Sequence, residues 1–350
     1  MNELQFAELL RQRAAGAGWP GLRQGIGDDC AVLAHTRQRD WLVTTDLFLE
    51  GIHFRRNWQE PASLGHKALA RGLSDIAAMG GTPRFVFLSI GLPRRTGKRR
   101  DQRSEQLWIA EFLEGFFRLA AASKVVLAGG DTGSSAGGFL ADVVVVGDVP
   151  RGQAILRSGA RPGDEIWVTG ALGTAALGLA LLQRGKKLRP SLRLRFLRRF
   201  DKLTAPSEVE GLRSGQAGQA HAAFQAFCYP EPRLRIGQYL LRRKLASAMM
   251  DLSDGLSIYL ARLSEASGVG ARLDAGSLPR LPQTPLRHAL HGGEDLELLF
   301  TVPPKRSHQL PRSIGGVPLT RLGRITSERT LWLIQDNRKQ PLPILGFQHF

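Results

Sequence analysis

The sequence predicts an α/β protein made of two sandwich domains. Three observations carry that prediction. Apolar, β-branched stretches alternate with longer runs at helical spacing in each half of the chain. The 350 residues exceed what one small core organises. The Pro- and Gly-containing stretch from Pro150 to Gly163 separates the two alternations, so the expected domains are residues 1–150 and 151–350.

In the first half, Asn2 to Ala15 carries Leu4, Phe6, Leu9 and Leu10 at helical spacing, with Asn2 and Gln5 placed as a cap pair. Trp41 to Thr45 reads as a short strand that delivers Asp46 at its end. Pro61 to Met79 reads as a helix, opened by proline and stopped by Gly80-Gly81 and Pro83. Its small residues Ala68, Ala70, Gly72, Ala77 and Ala78 let another backbone or a ligand approach closely. Arg84 to Leu92 then reads as a buried strand, Gln102 to Ala122 as a helix, and Lys124 to Ala128 and Phe139 to Val146 as strands. Gly129-Gly130-Asp131 therefore follows a strand end, where α/β folds place ligand loops.

In the second half, Glu165 to Thr169 reads as a strand and Gly173 to Gln183 as a Gly/Ala-rich helix. Arg233 to Leu245 and Leu256 to Ser267 read as helices. Gly270 to Leu273, Leu296 to Val302, Arg321 to Ile325 and Leu331 to Ile334 read as strands. The stretch from Gly185 to Tyr229 breaks the alternation, being basic and then Gly/Gln/Ala-rich. Apart from a helical stretch at Leu192 to Phe200, it reads as an extended insertion or mobile flap that tunes function.

Composition narrows the class. A 43% hydrophobic content excludes a mainly disordered chain. Asn2, Glu3 and Glu8 interrupt what would be the apolar start of a signal peptide, and Val168 to Leu182 is too short to span a bilayer. Cys30 and Cys228 are isolated, with neither metal-ligand nor disulfide spacing. A soluble, cytoplasmic protein is expected. The net charge of +17 raises nucleic-acid binding as a reading. The excess concentrates in Arg94 to Arg103 and Arg184 to Lys202, which read as solvated faces with no accompanying zinc finger or stacking surface.

Against this basic background stand five short acidic motifs: Gly25-Ile26-Gly27-Asp28-Asp29, Thr44-Thr45-Asp46, Ser74-Asp75, Gly129-Gly130-Asp131-Thr132 and Asp251-Leu252-Ser253-Asp254-Gly255. They sit in apolar or Gly/Ala-rich surroundings, where an unpaired carboxylate is costly. Short carboxylates beside Gly, Ser and Thr suit magnesium, which combines a few carboxylates with the phosphates of its substrate. Taken singly, Asp28-Asp29 also reads as a turn and Asp254 as a helix N-cap. No Walker loop, dinucleotide glycine loop, kinase catalytic loop, serine-hydrolase elbow or zinc helix is present. What remains is a site where carboxylates hold several metal ions and the metals hold a polyphosphate.

At these motifs the chain resembles the thiamine-monophosphate kinase family of the aminoimidazole-ribonucleotide-synthetase-like superfamily. The resemblance runs over nearly the whole length, through Glu50-Gly51-Ile52-His53-Phe54, Leu73 to Gly80, Arg157-Ser158-Gly159-Ala160, Val168-Thr169-Gly170 and Gly292-Gly293-Glu294-Asp295. It implies that superfamily's two-domain fold, with mixed sheets covered by helices and a homodimer formed through the N-terminal, ATP- and metal-binding domain. It also implies transfer of the ATP γ-phosphoryl group to thiamine monophosphate, giving thiamine diphosphate and ADP. By the family pattern Asp29, Thr44, Thr45, Asp46, Asp75, Asp131, Asp251 and Asp254 would hold several magnesium ions. Gly130, Asp131, Arg157 and Ser253 would meet ATP, and His53, Glu294 and Phe347 would bind thiamine monophosphate. Direct in-line transfer would need no catalytic residue apart from the metal ligands.

Without the resemblance, His53 reads as a packed histidine, Glu294-Asp295 as a turn and Phe347 as a core aromatic. The chain departs from the family at Gly72, where Asn is common, at Leu296, where Tyr is common, and at Phe347, where Trp or Tyr is frequent. Two alternatives stand beside the kinase. One is another ATP-dependent superfamily enzyme, of the aminoimidazole ribonucleotide synthetase or selenophosphate synthetase type, although the selenium enzyme's reactive Cys near the N-terminus is missing. The other is a basic nucleic-acid-binding protein.

Overall fold

Long runs of β-branched and apolar residues pair along their full length in the computed structural model, which describes residues 3–14, 19–93, 99–185 and 214–347. The first half holds β1 (Leu22–Gln24), β2 (Ala31–Ala34), β3 (Arg39–Leu49), β4 (Thr82–Pro93), β5 (Val126–Gly129), β6 (Thr132–Ser135) and β7 (Leu140–Pro150). They form one mixed sheet in the order β1-β2-β3-β7-β4-β5, with β6 also paired to β4. The pairs from β1 through β4 are antiparallel, while β5 and β6 join β4 in parallel.

β3 and β7 pair from Arg39↔Pro150 to Leu49↔Leu140. The strand expected to end at Thr45 therefore continues through Leu49, and Asp46 lies inside it. The ladder supplied by β7 carries the backbone past the acidic residue. Alternation places Leu42, Thr44 and Phe48 on the covered face and Thr45 and Leu47 on the other.

α1 (Glu3–Ala14) precedes the sheet, and α2 (Pro61–Ala78) and α3 (Arg99–Ser123) form the helical layer. α2 packs on β3, β7 and β4, and α3 packs on α2. The opposite sheet face leaves Leu47, Phe85, Phe87 and Val126 exposed. The expectation that Arg84 to Leu92 is a buried strand thus holds for Val86, Leu88 and Gly91 but not for Phe85 and Phe87, whose face no described helix covers.

The second half holds β8 (Glu165–Thr169), β9 (Ala248–Leu252), β10 (Gly270–Asp274), β11 (Glu297–Val302), β12 (Ser313–Ile314), β13 (Val317–Thr326), β14 (Leu331–Gln335) and β15 (Arg338–Pro341). Their order is β15-β14-β10-β13-β8-β11-β9, with β12 on β13, and β10 with β14 is the parallel pair. Helices α4 (Thr174–Gly185), α5 (Ser214–Cys228), α6 (Leu234–Arg242), α7 (Leu256–Ser267), α8 (Leu286–His291) and α9 (Pro304–Ser307) accompany it.

The extended-flap reading of Gly185 to Tyr229 needs correction over its second part. Residues 214–228 are the helix α5, which docks on α4 as Phe224, Phe227 and Cys228 pack with Ala175 and Leu182. Aromatic residues amid the Gly/Gln/Ala background give that segment an apolar face to bury. The helix expected at Leu192 to Phe200 lies outside the described residues.

One apolar core runs from the first sheet across α2 to the second half. Leu64, Leu69 and Ile76 of α2 share it with Val145 of β7, Ile236 and Leu240 of α6, Met249 of β9 and Phe300 of β11. Ile76 is fully buried at its centre. Ile76→Ala is expected to cost about 2–5 kcal/mol of stability through lost contacts and the cavity left behind. A urea unfolding curve checks this, and an unchanged midpoint would show that α2 is not anchored there.

Candidate active site

Three carboxylates from distant parts of the chain meet beneath α2. Asp29 precedes β2, Asp75 sits in the last turn of α2, and Asp251 lies on β9; one oxygen of each falls within 4.8 Å of the others. Asp251 is delivered by a strand missed at the sequence level, Ala-Met-Met-Asp-Leu, whose every residue is buried. Its apolar run was the available signal.

Hydrogen bonds hold the group from two sides. Thr44 Oγ1 donates to Asp75 Oδ2 at 2.5 Å. Arg157 donates from Nη2 and Nε to Asp29 Oδ1 at 2.5 and 3.2 Å, and its backbone N–H donates to Asp28 Oδ2 at 3.1 Å. Asp29 Oδ2 is buried with no hydrogen-bond partner.

Burial, then the neighbouring Asp46 and Asp251, push Asp75 well above the carboxylate range. Burial and Asp29 push Asp251 up to about 8, and burial raises Asp29 against the pull of Arg157. Asp28 is raised to about 6 by burial and by Asp29. Concentrated buried negative charge of this kind is the environment a hard divalent cation relieves.

A cavity of about 320 Å³ adjoins the cluster, lined by His53, Arg71, Phe227, Ser253, Asp254, Glu294 and Phe347 among others. The three residues expected on the acceptor side therefore share one wall system. The His53 and Phe347 rings lie 6.4 Å apart, and His53 Nδ1 accepts from the Leu49 backbone N–H at 2.9 Å. That bond orients the imidazole, so the packed-histidine reading and a place in the cavity hold together. Phe347 is 43% exposed and is no core aromatic.

Glu294 adopts the left-handed region at φ 73°. Burial opposes its ionisation, but Lys67 and Arg71 hold its pKa below the ordinary value. Its partner in the motif does different work. The Asp295 carboxylate accepts from the backbone N–H groups of Gly173 and Ala175 at 2.6 and 2.9 Å, tying the start of α4 to the loop.

Asp254 is not the N-cap of α7. Gly255 occupies that position, and the Asp254 carboxylate accepts instead from Tyr259 Oη at 2.9 Å and Arg262 Nη1 at 3.4 Å. Ser253 Oγ shares a 2.5 Å hydrogen bond with the same Tyr259 hydroxyl. Asp46 faces Arg71, whose Nη2 lies 3.2 Å from its Oδ1.

Thr45, Gly130 and Asp131 are exposed and have no described hydrogen bond to the buried carboxylates. Thr45 points to the opposite sheet face and donates to Asp142 at 2.7 Å, as strand alternation after Thr44 requires. Gly130 has φ 155° and presses on β4, where a Cβ would come within 1.9 Å of the Leu88 carbonyl oxygen, so only glycine fits. Asp131 bonds the N–H of Thr132 at 2.8 Å.

The departure at Gly72 has a steric basis, because a Cβ there would meet Val145 Cγ2 at 2.7 Å. Sequence reasoning missed Lys67, Arg71 and Phe227. Lys67, Arg71 and Asp75 recur every fourth residue, a charged stripe on an otherwise apolar helix, and that spacing was a usable signal. A larger groove of about 640 Å³ lies beside Arg272, Arg321 and Arg324, but none of the expected site residues lines it.

The chain is similar to known proteins over nearly its whole length. Residues 27–149 match the AIR synthase related protein N-terminal domain and residues 161–334 its C-terminal domain. The thiamine-monophosphate kinase of Salmonella typhimurium is 36% identical over 93% of this chain and 91% of its own length. That of Bacillus subtilis is 32% identical over 93% of each. A solved structure of AaThiL complexed with AMPPCP and TMP aligns with TM-score 0.75 and 27% identity over 100% of this chain and 97% of that one. The Stenotrophomonas maltophilia thiamine-monophosphate kinase aligns with TM-score 0.69 and 32% identity, over 97% of this chain and 99% of its own.

A carboxylate whose pKa is raised by folding stabilises the folded chain while protonated and loses that contribution as pH rises through its folded value. For Asp251 that value is about 8, from an ordinary 3.8. With divalent cations chelated, the melting temperature is expected to fall as pH rises from about 4 toward about 8. Asp251→Asn should melt higher than the parent at the alkaline end and match it at the acidic end. Differential scanning calorimetry checks this, and a constant gap across the range would show that Asp251 does not carry the effect.

Proposed function

The chain belongs to the AIR synthase related family and, within it, to the thiamine-monophosphate kinases, and from that premise we propose that the buried carboxylate cluster holds magnesium beside a thiamine monophosphate cavity. It is an ATP-dependent kinase that phosphorylates thiamine monophosphate to thiamine diphosphate. The observation that supports the site reading best is the convergence of Asp29, Asp75 and Asp251 within 4.8 Å, beside the cavity of Glu294, His53 and Phe347.

The residues fit magnesium, since the cluster consists of oxygen ligands, has its carboxylates raised by burial despite Arg157 at Asp29, and leaves Asp29 Oδ2 unpartnered. Asp29, Asp75 and Asp251 would be the ligands at the cluster, with Thr44, Asp46 and Asp254 beside it, directly or through water, whereas the exposed Thr45 and Asp131 would only meet a further magnesium ion carried by ATP. Bound magnesium would neutralise polyphosphate charge so that two anionic phosphates approach.

Arg157, whose Nε and Nη2 are held by Asp29, would turn its remaining Nη1 donors to phosphate oxygens, and Gly130, Asp131 and Ser253 would complete the ATP side. His53, Glu294 and Phe347 orient the acceptor. An oxygen of the acceptor phosphate attacks the γ-phosphorus in line, a new P–O bond forms, and the bond to the β-phosphate oxygen breaks with its electron pair leaving on ADP. A dianionic acceptor phosphate has no proton to give up, and its second pKa of about 6 makes that form dominant near neutrality. Hence the chain needs no general base.

We also propose that residues 1–150 form the ATP- and metal-binding domain and residues 151–350 the second. The enzyme is read as cytoplasmic, in keeping with two buried free cysteines, and no described helix is long and apolar enough to cross a membrane. Leu47, Phe85, Phe87 and Val126 put an apolar patch on the open sheet face, and a second copy of this chain is the proposed cover.

Incubation with magnesium, ATP and thiamine monophosphate should yield thiamine diphosphate, and Asp46→Asn, Asp131→Asn and Asp251→Asn should each lower kcat by about 100-fold or more with the fold retained. Near-normal turnover in all three would rule out the shared site. Light scattering is expected to give a dimer that Phe87→Glu shifts to monomer, whereas a monomeric parent at micromolar concentration would contradict the covered face.

A further inference from the structure

On the kinase reading above, the cavity beside the carboxylate cluster would take a ligand that carries a phosphate, yet its described walls hold a single permanently charged cation, Arg71. Lys67, one turn earlier on α2, is unsuited to the task. Its ammonium is 1% exposed, lies 3.7 Å from the Phe227 ring centroid and is paired with Glu294, so it is sealed beneath the wall. His288 lines the cavity too, but burial and then the nearby Arg287 lower its pKa and favour the neutral ring.

Arg71 occupies the junction of the two parts of the site. Its Nη2 lies 3.2 Å from Oδ1 of Asp46, beside the carboxylate cluster. Its Nη1 lies 3.6 Å from Oε1 of Glu294, on the cavity wall. Its Nε is buried and has no hydrogen-bond partner. Neither contact is a short bidentate pair, so the guanidinium is held between two carboxylates while part of its donor edge stays uncommitted. Glu294 is neutralised separately by Lys67. Arg71 is thus tethered in place without being used up.

We propose that Arg71 binds the phosphate of thiamine monophosphate and presents it to the donor phosphate, so that this side chain sets the preference for thiamine monophosphate over thiamine. The inference rests on the kinase reading above and adds to it the residue that recognises the acceptor's reacting group. In the transfer, the guanidinium stays protonated and neutralises charge on the acceptor oxygens as one of them forms the new P–O bond and ADP departs with the electron pair of the broken one. Nothing is oxidised or reduced, and no proton moves to or from Arg71.

The test compares two ligands that differ by the phosphate. Binding of thiamine monophosphate and of thiamine to the full chain is measured by isothermal titration calorimetry for the parent, Arg71→Gln and Arg71→Lys, followed by steady-state kinetics. Arg71→Gln should weaken thiamine monophosphate binding by about 10- to 100-fold, the range for losing a charge-assisted hydrogen bond, and leave thiamine affinity within about two-fold. Arg71→Lys should recover part of the loss, because it restores charge but not the fork. KM for ATP should stay near the parent value.

Equal weakening of both ligands, or an unchanged ratio between them, would overturn the role of Arg71, since a residue that merely props the wall would affect the two alike. Retained thiamine affinity shows that the pocket is folded, and Arg71→Lys carries the comparison if Arg71→Gln does not fold. A parent enzyme that makes no thiamine diphosphate would instead overturn the kinase reading, and this inference with it.

Discussion

Mutual repulsion among Asp29, Asp75 and Asp251 is the constraint around which the rest is arranged. Three carboxylates within 4.8 Å of one another, two of them buried and Asp75 half-buried, cannot all ionise without help, and the fold supplies only partial help. Arg157 reaches Asp29, and Thr44 donates to Asp75. Asp251 remains raised to about 8 and Asp75 higher than the usual range. Folding energy from a large apolar core tolerates this local cost, and a bound divalent cation is what would relieve the stored repulsion.

α2 distributes that constraint through the molecule. Its apolar residues belong to the core shared by both halves, so the helix cannot shift without disturbing the sheets on either side. Along one stripe it presents Lys67 to Glu294, Arg71 to Asp46 and Glu294, and Asp75 to the cluster. A rigid element bearing three charged groups at four-residue spacing sets the distance between the carboxylates and the cavity. Phe227 of α5 closes over Lys67, which makes part of the stretch that looked like a flap a wall of the cavity.

Sheet alternation divides the acidic motifs between two environments. Thr44 and Thr45 are adjacent in sequence, yet one bonds Asp75 in the interior and the other bonds Asp142 on the exposed face. Asp131 and Gly130 are likewise exposed, beside β4 and β6, on a sheet whose uncovered face carries Leu47, Phe85 and Phe87. The exposed motifs and the apolar patch share one half of the molecule.

By itself the sequence determined the α/β class, the family and the cast of acidic residues, because these depend on local periodicity and on short motifs whose order along the chain is specific. It also located α2 and α7 closely, since proline, glycine and apolar spacing act within a few residues. It did not reveal β9, because a five-residue apolar run carries no period that separates strand from loop, and only pairing with β11 makes it a strand. Nor did it pair Asp254 with Tyr259 or tie Asp295 to the start of α4, since both depend on partners brought near by folding. The tertiary structure alone decided which carboxylates share burial and which face solvent. A residue's chemistry is local, whereas its electric environment is set by everything packed around it, and Arg71 acquires its place between cluster and cavity only when β3, α2 and the Glu294 loop converge.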